Sequence, residues 1–306
     1  MTDRPVTSDV THQPEWLRRK ERGSALVIKL IVRLALSLGR PAIRCLLPVI
    51  CLYFLVFSLA SRRASGLYLS RVLGRRATLL DVLRHYHAFA SCVLDRVFFL
   101  ANRTELFDLR IYGEQVVTDI LAQGNGCILL GAHIGSFEVL RAAGRRHPNL
   151  RVNMVMFEEN AHKITAVLNA INPELARDVI NLGRPDSFIT IQHCLENGNA
   201  VGVLADRSLT EERQVSHPFL GAPARFSANP FRMIAILQKP VVLMIGLYRG
   251  GRRYDIHIES FAAAGGVPRR PSAEDIEKIS ARYVARLEHY CRIAPYNWFN
   301  FYNIWN

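Results

Sequence analysis

His133 and Glu138 are the side chains in this 306-residue chain best suited to moving a proton. They form an H-x4-E spacing inside the stretch CILLGAHIGSFEVL, Cys127 to Leu140. On one continuous helix, residues five apart diverge by about 140° around the axis and cannot serve a single point. They converge if the histidine lies in a turn and the acid in the helix that follows. The stretch has that form. An apolar run ends at Gly131, a small-residue turn carries His133, and Ser136 has the side chain of an N-cap. Gly131 and Gly135 supply the backbone freedom such a turn needs. An exposed imidazole at the end of a strand, with a carboxylate to orient it and stabilise its protonated form, is a general base. The pair also has a purely local explanation, because a glutamate is favourable in any helix's first turn. The strand-turn-helix setting is what favours the catalytic reading.

The elements that must hold this pair follow from the pattern after Ile111. Helices are expected at about 114–123, 136–146, 160–171, 187–197, 229–238 and 273–292. Strands are expected at about 127–131, 152–157, 178–182, 200–205, 241–248 and 254–259. This alternation predicts an α/β fold, a mixed sheet covered by helices on both faces. The strand from Ala200 delivers Asp206 and Arg207 at its end, where α/β proteins place ligand groups. A simple charged surface turn is the alternative there. The segment 67–100 reads as helical.

Half of the residues are hydrophobic and the formal net charge is +13. The charge is uneven: residues 1–100 carry a net +10 and residues 101–306 only +3. The basic part is also the greasy part. Residues 24–38 are apolar with Lys29 and Arg33 on one face, and Pro41 breaks that helix. Residues 45–60, CLLPVICLYFLVFSLA, hold no charge. Sixteen helical residues span about 24 Å, short of a ~30 Å hydrocarbon core. A full span, a re-entrant hairpin and an interfacial pair all remain open, as does a greasy pair of soluble core helices. Arginines flank the segment on both sides and give no orientation. Basic residues beside apolar helices point to an anionic membrane surface. Nucleic acid is not expected as a partner, because no nucleic-acid motif is present. Three regions are expected: a flexible polar N-terminus (1–22) with no secretory leader, membrane-associating helices (23–65) and a catalytic domain (66–306). The six cysteines form no framework and read as free thiols. No metal spacing appears, since His85 and His87 do not share a helix face.

GAHIGSFEVL resembles motif I, H-x4-(D/E), of the glycerolipid and lysophospholipid acyltransferases. More narrowly it is similar to the late acyltransferases of lipid A biosynthesis, with a glycine before the histidine and an aromatic, Phe137, before the acid. The resemblance runs from about Leu26 onward. It implies a membrane-associated O-acyltransferase at the bacterial inner membrane, with the catalytic domain facing the cytoplasm. It implies an acyl-acyl carrier protein or acyl-CoA as co-substrate, a membrane lipid as acceptor, and no metal or other cofactor. By the same resemblance His133 is the base, Glu138 orients it, and Asp206 matches an acid at the end of a family strand. Arg207 is an unusual follower for that acid. Arg184, in the polar block before the helix at 187, has the fork that binds phosphate. Arg225, in the Gly- and Pro-rich stretch 217–230, is a further anion contact, and that stretch reads as a loop forming a lid or substrate wall. The aromatic stretch Tyr296 to Trp305 either lines a lipid surface or acyl tunnel or docks on the core. It has no arginine after Arg292, which leaves room for a smaller lysophospholipid or aminolipid acceptor. A serine hydrolase is disfavoured because no G-x-S-x-G elbow is present. A non-catalytic membrane-binding module is the third alternative, and it predicts that His133 is dispensable.

Overall fold

The computed structural model of the chain describes residues 25–124, 126–144, 151–157, 171–173, 178–182, 186–207 and 213–305. Four helices come first: α1 (Ala25–Arg44), α2 (Leu47–Phe57), α3 (Leu59–Leu73) and α4 (Leu79–Leu100). Then follow β1 (Asp108–Tyr112), α5 (Glu114–Ala122), β2 (Cys127–Gly131), α6 (Phe137–Gly144), β3 (Val152–Phe157), β4 (Val179–Leu182), α7 (Ser187–Glu196) and β5 (Ala200–Leu204). The chain continues through β6 (Gln214–Phe219), β7 (Ala222–Ser227), α8 (Asn229–Leu237), β8 (Val241–Tyr248), β9 (Arg253–Ala262) and α9 (Ala273–Ile293).

Seven strands form one sheet in the order β1-β9-β8-β2-β5-β3-β4. Only β8 and β9 pair antiparallel; every other pairing in that sheet is parallel. The mixed, helix-covered α/β fold read from the sequence is therefore present. β2 shows how the sheet is buried on both faces. Ile128 and Leu130 join the core beneath α3, α7, α8 and α9, while Cys127 and Leu129 join the opposite core against α4 and α6. Capping boxes start α4 (Thr78 with Asp81) and α9 (Ser272 with Asp275), each satisfying N-terminal amides that would otherwise lack partners. The predicted helix at 160–171 lies outside the described residues.

Four elements differ from the expectation, and one is the segment 67–100, which is two helices parted between Gly74 (φ 65°) and Thr78. The uncharged segment 45–60 is not one helix: α2 covers eleven residues, and the chain bends at Ser58 (φ −108°, ψ 68°) into α3. The stretch 217–230 is not a loop. It lies largely in the hairpin of β6 and β7, turned by Leu220 and Gly221 at φ 49° and 81°, the left-handed pair that a two-residue hairpin turn requires. Its prolines, Pro218 and Pro223, face each other in a two-stranded sheet with no central strand to interrupt. β1, at the sheet edge, is a further strand that the sequence pattern did not show.

α1 is broken at Gly39 (φ 79°, ψ 162°), two residues before Pro41. In α2 only Leu47, Cys51 and Leu55 are buried, one stripe at four-residue spacing. Val49, Leu52, Tyr53, Phe54, Val56 and Phe57 are all at least 48% exposed. Among the described residues no single helix is long and apolar enough to cross a membrane. The pair Val32–Arg44 and Leu47–Phe57, bent by 81°, meets that test together by length and composition.

Candidate active site

β2 and β5 are parallel neighbours in register, with Gly131 opposite Leu204. The chain leaves β2 towards β3 and β4 on one side, and leaves the β5 region towards β8 on the other. The carboxyl ends of the two strands thus flank a switch point, the usual crevice for a ligand in an open α/β sheet. His133 and Asp206 each lie two residues past the last paired position, and they meet there. His133 Nδ1 is 2.8 Å from Asp206 Oδ1, and the His133 backbone N–H donates to Oδ2 at 3.0 Å. Trp298 Nε1 donates to the same Oδ2 at 2.8 Å. Asp206 is fully buried, whereas 30% of the His133 side chain remains exposed. A carboxylate only accepts, so Nδ1 carries the proton and Nε2 is left with a free lone pair.

The turn that carries His133 is held from two sides. The Gly135 N–H donates to Asn297 O, Phe299 N–H donates to His133 O, and Ser136 N–H donates to Gly246 O on β8. Gly135 has φ 63°, and a Cβ there would stand 1.9 Å from Gly246 O, so no other residue fits. Tyr283 on α9 donates to Gly131 O at 2.8 Å. The aromatic stretch docks on the core rather than facing outward. Trp298 is 1% exposed and packs against Tyr68, Phe219 and Trp305. Fully buried His85 joins α3 and α4 to this stretch, with Nδ1 against Ser65 Oγ and Nε2 against Trp298 O, both at 2.8 Å.

Glu138 makes no described contact with His133. It is 2% exposed in α6, and its carboxylate accepts from Arg96 Nε at 3.1 Å and pairs with Arg141 at 3.6 Å. The five-residue spacing places it in the first turn of α6, as expected, but Asp206 occupies the place beside Nδ1. Glu138 instead holds Arg96, whose charge acts on His133. Arg141 also reaches Asp178 at 3.3 Å, and Arg151 pairs with the same acid.

Of the remaining predicted residues, Arg207 lies beside the pair. Its Nε and Nη2 reach Asn300 Oδ1 and Phe299 O, each at 3.2 Å. Arg225 is exposed on β7, with its backbone N–H to Ile304 O, and makes no described contact with His133 or Asp206. Arg184 lies outside the described residues. Arg96 and Trp298 carry the site without having been singled out for it. Arg96 gave no signal, being one of two arginines on α4 and one of many in the chain. Trp298 gave one: a buried indole N–H needs an acceptor.

The electrostatics suit a neutral base. Burial lowers the pKa of His133 below its ordinary 6.5, and nearby Arg207 and Arg96 add to this against the opposing pull of Asp206. Burial alone would raise Asp206, but His133, Arg207 and the Trp298 N–H overcome it and hold the carboxyl below its usual range. At neutral pH the arrangement is a neutral imidazole on an ionised carboxylate.

A family model of the bacterial lipid A biosynthesis acyltransferases matches residues 94–306, more than two thirds of the chain. The chain belongs to that family. It is therefore an enzyme that transfers acyl groups, and its family implies a lipid A precursor as acceptor together with an acyl donor. The matched region begins within α4, just before Arg96, and contains His133, Glu138, Asp206 and Trp298. Membership in this lipid A acyltransferase family, together with the bent apolar pair, suggests association with a membrane. No curated protein matches the chain.

Proposed function

We propose that the chain is a membrane-associated O-acyltransferase in which His133 is the general base and Asp206 orients it. The acyl group comes from a thioester, acyl-acyl carrier protein or acyl-CoA, and passes to a hydroxyl of a lipid A-type glycolipid precursor. The observation that supports this reading best is the bond between His133 Nδ1 and buried Asp206, which leaves Nε2 as the basic atom. Nε2 takes the hydroxyl proton, the oxygen attacks the thioester carbonyl, and the C–S bond breaks as the tetrahedral intermediate collapses. The departing thiolate recovers the proton from the imidazolium. Asp206 keeps Nδ1–H throughout and stabilises the imidazolium.

The oxyanion needs donors. The N–H groups of Gly135 and Ser136 are already used by Asn297 and Gly246. Arg96, 35% exposed at its side chain and held by Glu138, is the donor we assign. Glu138 is then a positioning residue acting through Arg96. Arg207 holds the stretch that carries Trp298. Arg184 and Arg225 are left as contacts for phosphate on the acceptor or carrier. Residues 23–65 associate with the cytoplasmic side of the inner membrane, residues 66–306 form the catalytic domain, and residues 1–22 are a polar N-terminal segment outside both.

The test is transfer of label from acyl-acyl carrier protein, and separately from acyl-CoA, into a lipid A precursor in membranes. Wild type labels the precursor, and His133→Ala lowers the rate by about 10²–10⁴-fold. Release of free fatty acid alone would move the reading to a hydrolase. Transfer undiminished in His133→Ala would place the base elsewhere.

A further inference from the structure

A cavity of about 520 Å³ opens between the bend of α1 and α2, the first half of α4, the β8–β9 turn and the segment after α9. This is the size range of small-molecule sites. Its polar groups include Arg44, Arg84, His87, Arg249 and Tyr248, with Tyr296 and Asn297 beside them, and its apolar wall includes Pro48 and Cys51 of α2 and Leu80 and Leu83 of α4. No described residue lining it is acidic.

Arg44 and Arg84 pair with no carboxylate among the described residues, and Arg44 Nη1 is buried with no hydrogen-bond partner. The hydroxyl of Tyr248, itself 6% exposed, is likewise unpartnered. The carboxylates nearby are engaged. Asp81 is held by Arg75, Thr78 and Tyr296, and Asp255 by Arg249 and Arg253. Arg84 is exposed, but a guanidinium nitrogen and a hydroxyl buried without hydrogen-bond partners are costly unless something supplies acceptors.

The cavity is not the crevice of His133. Along α4, His87 projects about 180° from Arg96, and Arg84 lies about 18 Å down the axis from it and about 120° round. On its outer side the cavity adjoins α2, whose apolar side chains face outward from Val49 to Phe57. A ligand here therefore has an anionic oxygen-rich head for the arginines and a greasy tail for α2.

We propose that this cavity is a second, non-catalytic lipid site, which takes the phosphodiester of an anionic membrane phospholipid on Arg44, Arg84 and Tyr248 while an acyl chain lies along α2. Charge complementarity and the adjoining apolar face select such a lipid over a soluble anion. The site fastens the enzyme to anionic membrane through a specific contact, beyond diffuse attraction of its basic N-terminal third.

The test uses the full chain in neutral detergent and fluorescent short-chain phosphatidylglycerol or phosphatidylcholine. About 0.5 M KCl screens diffuse attraction to exposed charges, whereas a contact through the buried Nη1 of Arg44 is screened much less. Phosphatidylglycerol is expected to bind once per chain, roughly tenfold or more tighter than phosphatidylcholine. Arg44→Gln with Arg84→Gln weakens it by about tenfold or more, while Arg33→Gln with Arg63→Gln, two exposed cations outside the cavity, changes it by less than about twofold. Equal losses in both double variants, equal binding of the two lipids, or displacement by inorganic phosphate overturns the proposal, the last by showing a free-phosphate site. If the cavity variant does not fold, a photoactivatable phosphatidylglycerol decides on wild type. Label on α2 together with the 80–88 segment of α4 supports the site, and label confined elsewhere refutes it.

Discussion

Replacing Asp206 with Asn separates the two acids near His133 and has a calculable outcome. Oδ2 receives two N–H groups with no alternative role, the His133 amide and Trp298 Nε1. The asparagine oxygen must take that place, since an NH₂ group there would face two donors. The NH₂ group then faces Nδ1 across the former 2.8 Å bond. The imidazole can accept that bond only by moving its own proton to Nε2, which removes the basic lone pair from the side that meets the hydroxyl. Loss of the correct tautomer in such a dyad costs about 10⁴-fold in turnover, or about 5 kcal/mol of barrier. The shape is conserved, so the variant folds and KM for the thioester stays within about threefold of wild type. Protonation is a separate effect with a known sign. His133 lies below 6.5 in wild type, so activity falls only as pH drops below that value; Asp206 opposes the shift, so Asp206→Asn moves the acid limb lower still. The rate loss at pH 7 and above is thus independent of pH. Initial rates of acyl transfer from pH 5 to 9, with histidine ¹⁵N spectra to read the tautomer, measure both. If Asp206→Asn keeps more than about a tenth of wild-type turnover while Glu138→Gln keeps none, the assignment of the orienting role to Asp206 is refuted.

Glu138→Gln leaves Arg96 and buried Arg141 without their shared carboxylate, and we expect a loss of about 3 kcal/mol in urea unfolding with a fall in transfer smaller than that of Asp206→Asn. Gly135→Ala forces a Cβ to 1.9 Å from Gly246 O at φ 63°; it should cost about 3 kcal/mol or more, read as a lower thermal midpoint, because β8 must separate from the His133 turn. Burial pushes His85 down from 6.5 to about 4. A histidine depressed on folding contributes stability that is complete above 6.5 and lost as pH falls towards 4, here up to about 3 kcal/mol. Thermal midpoints measured across that window should fall in wild type and flatten in His85→Gln; an equal slope in both would show that His85 is not the group responsible.

How much of this was legible in the residues depends on the range of each contact. The strand at 127–131, the turn and the helix start at 137 are local, and glycine placement with apolar runs reveals them. So does Asp206, because a buried strand from Ala200 must end somewhere and its end is where ligand groups sit. The pairing of Asp206 with His133 spans 73 residues and depends on β2 and β5 becoming neighbours, which nothing in either strand's periodicity specifies. The acid five residues from the histidine was therefore the one that spacing proposed. Arg96, 42 residues from Glu138, was invisible for the same reason. The hairpin at 214–227 was hidden by its own composition: two prolines and a Leu-Gly turn read as a loop unless the two strands are known to stand alone.

Arg40, just past the break in α1, grips Asp95 of α4 with two bonds, Nε to Oδ1 at 2.7 Å and Nη2 to Oδ2 at 2.9 Å. Tyr254 of β9 donates to the same fully buried acid at 2.8 Å. A helix of the apolar pair, the helix that bears Arg96 and a strand of the sheet are thereby bolted at one point. On the proposal that the apolar pair lies in a membrane, tilt of that pair is tilt of the whole enzyme, and the height of His133 above the bilayer is set by the fold. An acceptor cannot be met halfway by a swinging domain. On that proposal it would qualify by how far its own hydroxyl stands from the lipid in which it is rooted, and the bolt would select substrates by reach.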